Sequence, residues 1–125
     1  MRRVLLVVLL LASGAAWAGW VQMSSEGANS VTYADPDTIK TNGQLRQVTE
    51  VHDFKVPDKT RGNLSTKVVS EHDCKEARLR VLQEDYFSGQ MGNGERLGGY
   101  TGPSDWFPVV AGTRGATLHK FVCSR

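Results

Sequence analysis

The chain has 125 residues, 40% hydrophobic, 8% aromatic and 22% charged. That composition is globular, not disordered, collagenous or coiled-coil. The length allows one domain and excludes a two-domain Rossmann enzyme, a TIM barrel or a transporter. The 15 basic and 13 acidic residues give a formal charge of +2, too little for the basic footprint of a nucleic-acid binder.

Residues 1–18 read as an export signal. Arg2 and Arg3 form a positive start, Val4 to Ala12 is a continuous apolar run, and Ala16-Trp17-Ala18 carries the small-x-small pattern of a cleavage site. The run is shorter than the roughly 20 residues of a membrane-spanning helix, so cleavage is expected rather than anchoring. Arg2 and Arg3 are two of the 15 basic residues and no acid precedes Gly19, so the mature domain, 19–125, would carry 13 of each sign. No cysteine follows the apolar run, so no lipid attachment site is expected.

Short β-type runs then alternate with turn signals. Trp20 to Met23 and Val31 to Tyr33 come first. Asp35-Pro36-Asp37 reads as a turn, and Asn42-Gly43 is a strong hairpin signal because both residues tolerate positive φ. In Gln44 to Phe54 the apolar residues Leu45, Val48, Val51 and Phe54 fall three apart. That spacing suits a bulged strand, or one partly covered on both faces. Pro57 to Asn63 is a polar loop, and Leu64 to Glu71 reads as a strand. Lys75 to Phe87 is ambiguous. Its residues favour a helix, with Leu79, Leu82 and Tyr86 on one face, yet as a strand it would put Arg78 and Arg80 on one side. Ser88 to Gly102 is glycine-rich. Near the end, Thr113 can cap a helix whose Leu118, Phe121 and Val122 share a face.

Cys74 and Cys123 are the two cysteines. In an exported chain an even count reads as a disulfide; two thiols with no third Cys or nearby His make a poor zinc site. The bridge would close a loop of about 50 residues, worth about 4 kcal/mol in the chain-entropy account. It would clamp the terminal helix to the body of an α+β single domain, a mostly antiparallel sheet with one short helix.

An ordered set of short motifs carries a resemblance. Trp20 opens the domain. Tyr33-Ala34-Asp35 with Thr38-Ile39 follows, then His52-Asp53-Phe54, Ser70 and Asp73-Cys74. Arg78 and Arg80 precede Tyr86-Phe87-Ser88-Gly89 and Met91-Gly92-Asn93-Gly94. Trp106, Gly112-Thr113 and Cys123 complete the set. In order and spacing the chain resembles the surface-adhesin protein E-like family of small exported bacterial proteins. The resemblance implies a curved antiparallel sheet of about five to six strands, a strand rather than a helix at Arg78 to Phe87, and a C-terminal helix tethered by Cys74–Cys123. The family is named after a lipid-anchored adhesin that binds host extracellular-matrix proteins. The missing lipid-attachment cysteine sets this chain apart from it.

Few constellations point to chemistry. Gly92-Asn93-Gly94 with Gly98 lacks the spacing of a dinucleotide fingerprint, and no Walker lysine follows; no cofactor is expected. His52-Asp53 and His72-Asp73, with Glu71 and Glu50 nearby, could serve a metal or a His-dependent enzyme only if their strands bring them to one face. Solvated residues at strand ends are the plainer account, so no metal is expected. His119 is expected to face solvent. No G-x-S-x-G elbow is present, and no catalytic residue is assigned. Arg78 and Arg80 form a candidate ligand-binding pair for carboxylate or phosphate, or else ion pairs with Asp73 or Glu84. Trp106, in the loop Pro103 to Val110, is a candidate anchor if exposed and a core cover if buried.

The expectation is a non-enzymatic exported binding domain, adhesin-like or envelope-associated, with a protein or cell-envelope ligand. It would act in the periplasm first, the cell surface or medium second, without nucleic acid and without a membrane anchor. An inhibitor of a hydrolase is the alternative, followed by a His- or metal-dependent enzyme using His52, His72 and Glu71.

Overall fold

The computed structural model describes residues 19–26 and 29–125. The signal peptide expected over residues 1–18 lies outside the described residues. The described residues form β1 (Val21–Glu26), β2 (Ser30–Asn42), β3 (Leu45–Phe54), β4 (Ser65–Asp73), β5 (Arg78–Phe87), β6 (Arg96–Thr101), the two-residue β7 (Phe107–Pro108) and α1 (Arg114–Cys123). The strands make one antiparallel sheet in the order β1-β2-β3-β4-β5-β6, and β7 pairs with the first residues of β5. Lys75 to Phe87 is therefore a tight turn and then a strand, as the resemblance implies.

Local chemistry sets most of these elements. Asn42 ends β2 and Gly43 (φ 61°) turns the chain into β3, a backbone conformation that favours glycine. Thr113 caps α1, its Oγ1 accepting from the Ala116 N–H at 3.2 Å. At the other end Arg46 of β3 donates to the carbonyls of Val122, at 2.8 Å, and Arg125. That contact supplies partners and a positive charge where the helix leaves carbonyls unpaired.

One expectation needs correction. Asp35-Pro36-Asp37 does not end a strand. It is a bulge inside the long β2, where pairing jumps from Asp35–Thr49 to Lys40–Gln47. The Asp37 N–H still turns onto Asp35 Oδ1 at 3.0 Å, but Thr38 Oγ1 takes up the Thr49 N–H at 2.9 Å and carries the ladder across the gap. The extra residues thus belong to β2, and the triplet spacing in β3 has the other cause considered, cover on both faces. Val48 packs under α1 with Ala34, Leu118 and Val122. Val51, on the opposite face, is equally buried. There the 88–95 loop folds over the sheet, through Met91 N–H to Asp53 Oδ1 at 2.7 Å and Gly92 N–H to Ser65 Oγ at 2.9 Å.

α1 crosses β1 to β4, and Cys74–Cys123 ties its last residue to the β4–β5 turn with a Cα–Cα separation of 5.6 Å. The sheet beyond the start of α1 is left open, and the 103–110 segment wraps the free edge of β5 there.

Candidate functional site

The outer face of β4 and β5 carries Arg78 and Arg80, side by side as expected of a strand. Each is already paired across the ladder. Arg78 Nε donates to Asp73 Oδ2 at 3.1 Å, and Arg80 reaches Glu71 Oε1 at 2.9 Å from Nε and 2.7 Å from Nη2. Their guanidinium carbons stand 4.5 and 4.3 Å from the centre of the Trp106 ring, a cation–π arrangement. Asp73 is further held by the Lys75 and Glu76 N–H groups and the Gln44 amide. Burial alone would raise its carboxyl, yet these bonds hold it below the usual carboxylate range. Two acids and two bases cancel, so this is a charge-balanced, aromatic-faced patch rather than an open anion trap. Trp106 is half-buried, between the two fates the sequence allowed.

The histidines do not converge on a catalytic or metal site. His52 and His72 both face α1, but His52 pairs with Thr66 and His72 with Arg46. Six residues of strand separate their levels, roughly 20 Å. Glu71 points to the other face and is bound to Arg80. No group of three or more His, Cys, Asp or Glu among the described residues is arranged to hold a metal.

His72 has a different partner. Its Nε2 is 3.0 Å from Ser70 Oγ, and its Nδ1 is 3.0 Å from Nδ1 of His119, whose Nε2 lies 3.6 Å from Cys123 Sγ. His119 therefore does not face solvent. It turns inward from α1 onto β4, a contact invisible in the sequence because 47 residues separate the pair. Burial, helped by the charge of His119, pushes His72 down to about 4. Burial lowers His119 as well, and Asp73 partly offsets it. Ser70 is 1% exposed, so the Ser70–His72 contact is a core hydrogen bond, not a presented nucleophile.

The open concavity lies on the helix side, a groove of about 450 Å³ between β3–β5, β7 and the first turn of α1. Its walls include Val68, Leu79, Val81, Phe107 and Leu118, and its polar residues include Glu50, His52, Ser70 and Glu84. Glu50, Val68 and Glu84 are direct cross-strand neighbours, so the two carboxylates flank one valine. Glu50 is 6% exposed, and its carboxylate stands 3.3 Å from His52 Nε2. That contact lacks hydrogen-bond geometry, and His52 Nε2 is a buried nitrogen without a hydrogen-bond partner. Glu84 accepts from the Tyr86 hydroxyl at 2.9 Å; burial first, then this bond, push that hydroxyl up. Composition did not single out this pair, because a carboxylate's burial depends on strand register. Alternate positions on β3 and β5 were the available signal.

The described part of the chain matches known folds over nearly its whole length. Two structures of Haemophilus influenzae protein E superpose with TM-scores of 0.67 and 0.68 at 15% and 16% identity. They cover 88% and 89% of this chain and 91% and 90% of theirs. A third, protein E from non-typeable Haemophilus influenzae, gives 0.63 at 16% identity, covering 89% of this chain and 79% of that one. At such identities the likeness speaks for the fold. Among curated protein sequences none matches. The surface-adhesin protein E family model matches residues 20–124. With this sheet, this helix and this bridge, the chain belongs to the surface-adhesin protein E family.

Proposed function

We propose that residues 19–125 form an exported, non-enzymatic binding domain that engages a protein or cell-envelope ligand once residues 1–18 are removed. The observation that carries this reading is the family match across the domain. Two features agree with it. A bridge between Cys74 and Cys123 suits an oxidising compartment. The groove on the helix side is preformed, so a ligand would meet little ordering cost. No helix among the described residues is long and apolar enough to cross a membrane. The Arg78–Trp106–Arg80 patch is a second contact surface in this reading, suited to a flat or aromatic partner group rather than to a bare anion.

The test is to express the whole precursor in its native host, fractionate the cells, and cross-link the processed protein in place. Recovery from the envelope or surface, covalently joined to a reproducible partner, is the expected result. Recovery in the cytoplasm, or turnover of an envelope or peptide substrate that survives re-purification, would overturn the proposal.

A further inference from the structure

The helix-side groove combines features that suit one kind of side chain. Its walls are aliphatic and aromatic, while Glu50 supplies a carboxylate from its floor and Glu84 a second, about 10 Å away across two strand spacings. Burying an ionised carboxylate without a cation or full hydrogen bonding is costly. Nevertheless, among the described residues no Lys or Arg lies within ion-pair distance of either Glu50 or Glu84. The charged neighbours are otherwise occupied. Arg61 sits over the Tyr86 ring at 4.5 Å, and Arg114, which lines the groove, is itself partnered. His52 approaches Glu50 without completing a hydrogen bond, leaving a buried nitrogen without a partner beside a carboxylate that no Lys or Arg neutralises.

We infer that this groove binds a lysine or arginine side chain of a protein ligand. The aliphatic stem would lie along Val68, Leu79 and Leu118, and the cationic head would meet Glu50, with Glu84 attracting it from the open side. A long stem with a charged tip buries apolar surface and delivers charge at once, which matches a greasy groove with an acid floor. A charge-assisted hydrogen bond formed in this partly dry site is stronger than one in water. The binding would also give the largely buried Glu50 carboxylate, whose ion-pair contact is with His52, a permanently charged partner. The inference rests on the binding-domain reading and adds the chemistry of its ligand.

The probes are the tripeptide acetyl-Val-Arg-Val-amide, its lysine counterpart, and the same peptide with citrulline, which keeps the shape and loses the charge. Each is titrated into the processed chain at pH 8 and followed by residue-resolved NMR. Shifts are expected at Glu50, Val68, Leu79 and Leu118 with the basic peptides, and affinity at least tenfold weaker with citrulline. Glu50→Gln, which keeps size and shape, should weaken the basic peptides at least tenfold while leaving the thermal midpoint unchanged or higher, because a buried charge is removed. Glu84→Gln should weaken them less. Equal binding of the citrulline peptide, unchanged affinity in E50Q, or shifts confined to other surfaces would overturn the inference. So would a lower melting point in E50Q with affinity intact, the mark of a structural acid. In-cell capture that persists in E50Q would leave the binding-domain reading standing while removing the groove; peptide binding without any in-cell partner would do the reverse.

Discussion

His72 and His119 meet Nδ1 to Nδ1 at 3.0 Å, and the contact fixes the direction of a chain of hydrogen bonds. A disulfide sulfur carries no proton, so at the far end His119 Nε2 must be the donor toward Cys123 Sγ. Neutral His119 then accepts at Nδ1, His72 donates from its own Nδ1, and His72 Nε2 accepts from the Ser70 hydroxyl. The order Ser70 to His72 to His119 to Cys123 holds only while both rings are neutral. A proton on His119 Nδ1 would face the donor on His72 and break it.

Acid should therefore loosen the helix. His72 has an ordinary value of 6.5 and is held at about 4 in the fold. A histidine with a depressed folded value contributes stability that is complete above 6.5 and is lost as pH falls toward 4. The loss across that window is about 3 kcal/mol, with His119 acting in the same direction. Asp73 and Asp58, both held below 3.8, lose their contributions only at lower pH. Urea midpoints measured from pH 7.5 to 4 should fall through this window in the native chain and much less in His72→Asn. A flat profile in the native chain would refute the assignment.

Removing the bridge should cost more than any surface change. Cys74→Ser or Cys123→Ser is expected to lose about 2–5 kcal/mol, measured by equilibrium unfolding at pH 7.5. Hydrogen exchange should place the earliest opening at α1. Thermal unfolding unchanged by either substitution would deny the bridge its clamping role.

The C-terminal end of α1 depends on a residue far from it in sequence. Arg46→Met keeps the stem and removes the donors to Val122 and Arg125. A loss of about 1–2 kcal/mol is expected, with faster amide exchange over the last turn of α1 and little change in β4. Equal exchange rates in the two proteins would contradict this.

Trp106 is expected to hold the arginines in register rather than to fill the core. Trp106→Ala should cost about 1–2 kcal/mol through the two cation–π contacts and lost burial. It should also free Arg78 and Arg80 to move, visible as broadened or shifted guanidinium Nε signals. Unchanged Nε signals would mean that the Asp73 and Glu71 pairs alone set those side chains.

Local signals in the sequence carried much of the architecture. Asn42-Gly43 and Thr113 mark their turn and cap because each acts through its own backbone. The two cysteines had one possible pairing. What escaped was long-range. The β2 bulge at Asp35–Lys40 looks like a strand end because its turn hydrogen bonds are genuine, and only the Thr38–Thr49 contact keeps the ladder going. His119 reads as solvent-facing because its partner belongs to β4. For the site, Arg78 and Arg80 share a face only if their stretch is a strand, which the residues left open against a helix and the resemblance implied. The Arg78–Asp73 pair is one the sequence offers, whereas the Arg80–Glu71 pair and the placing of Glu50 in a groove depend on strand register, which a single sequence states weakly.

The most direct test of the groove as the binding surface uses a photo-reactive residue in the living envelope. Placed at Val110, an exposed groove residue, it should capture a partner whose cross-linked peptide contains lysine or arginine beside the attachment point. The same probe at Leu97, exposed on β6 outside the groove, should capture little. Capture from Leu97 with none from Val110, or Val110 adducts unaffected by Glu50→Gln, would contradict the account.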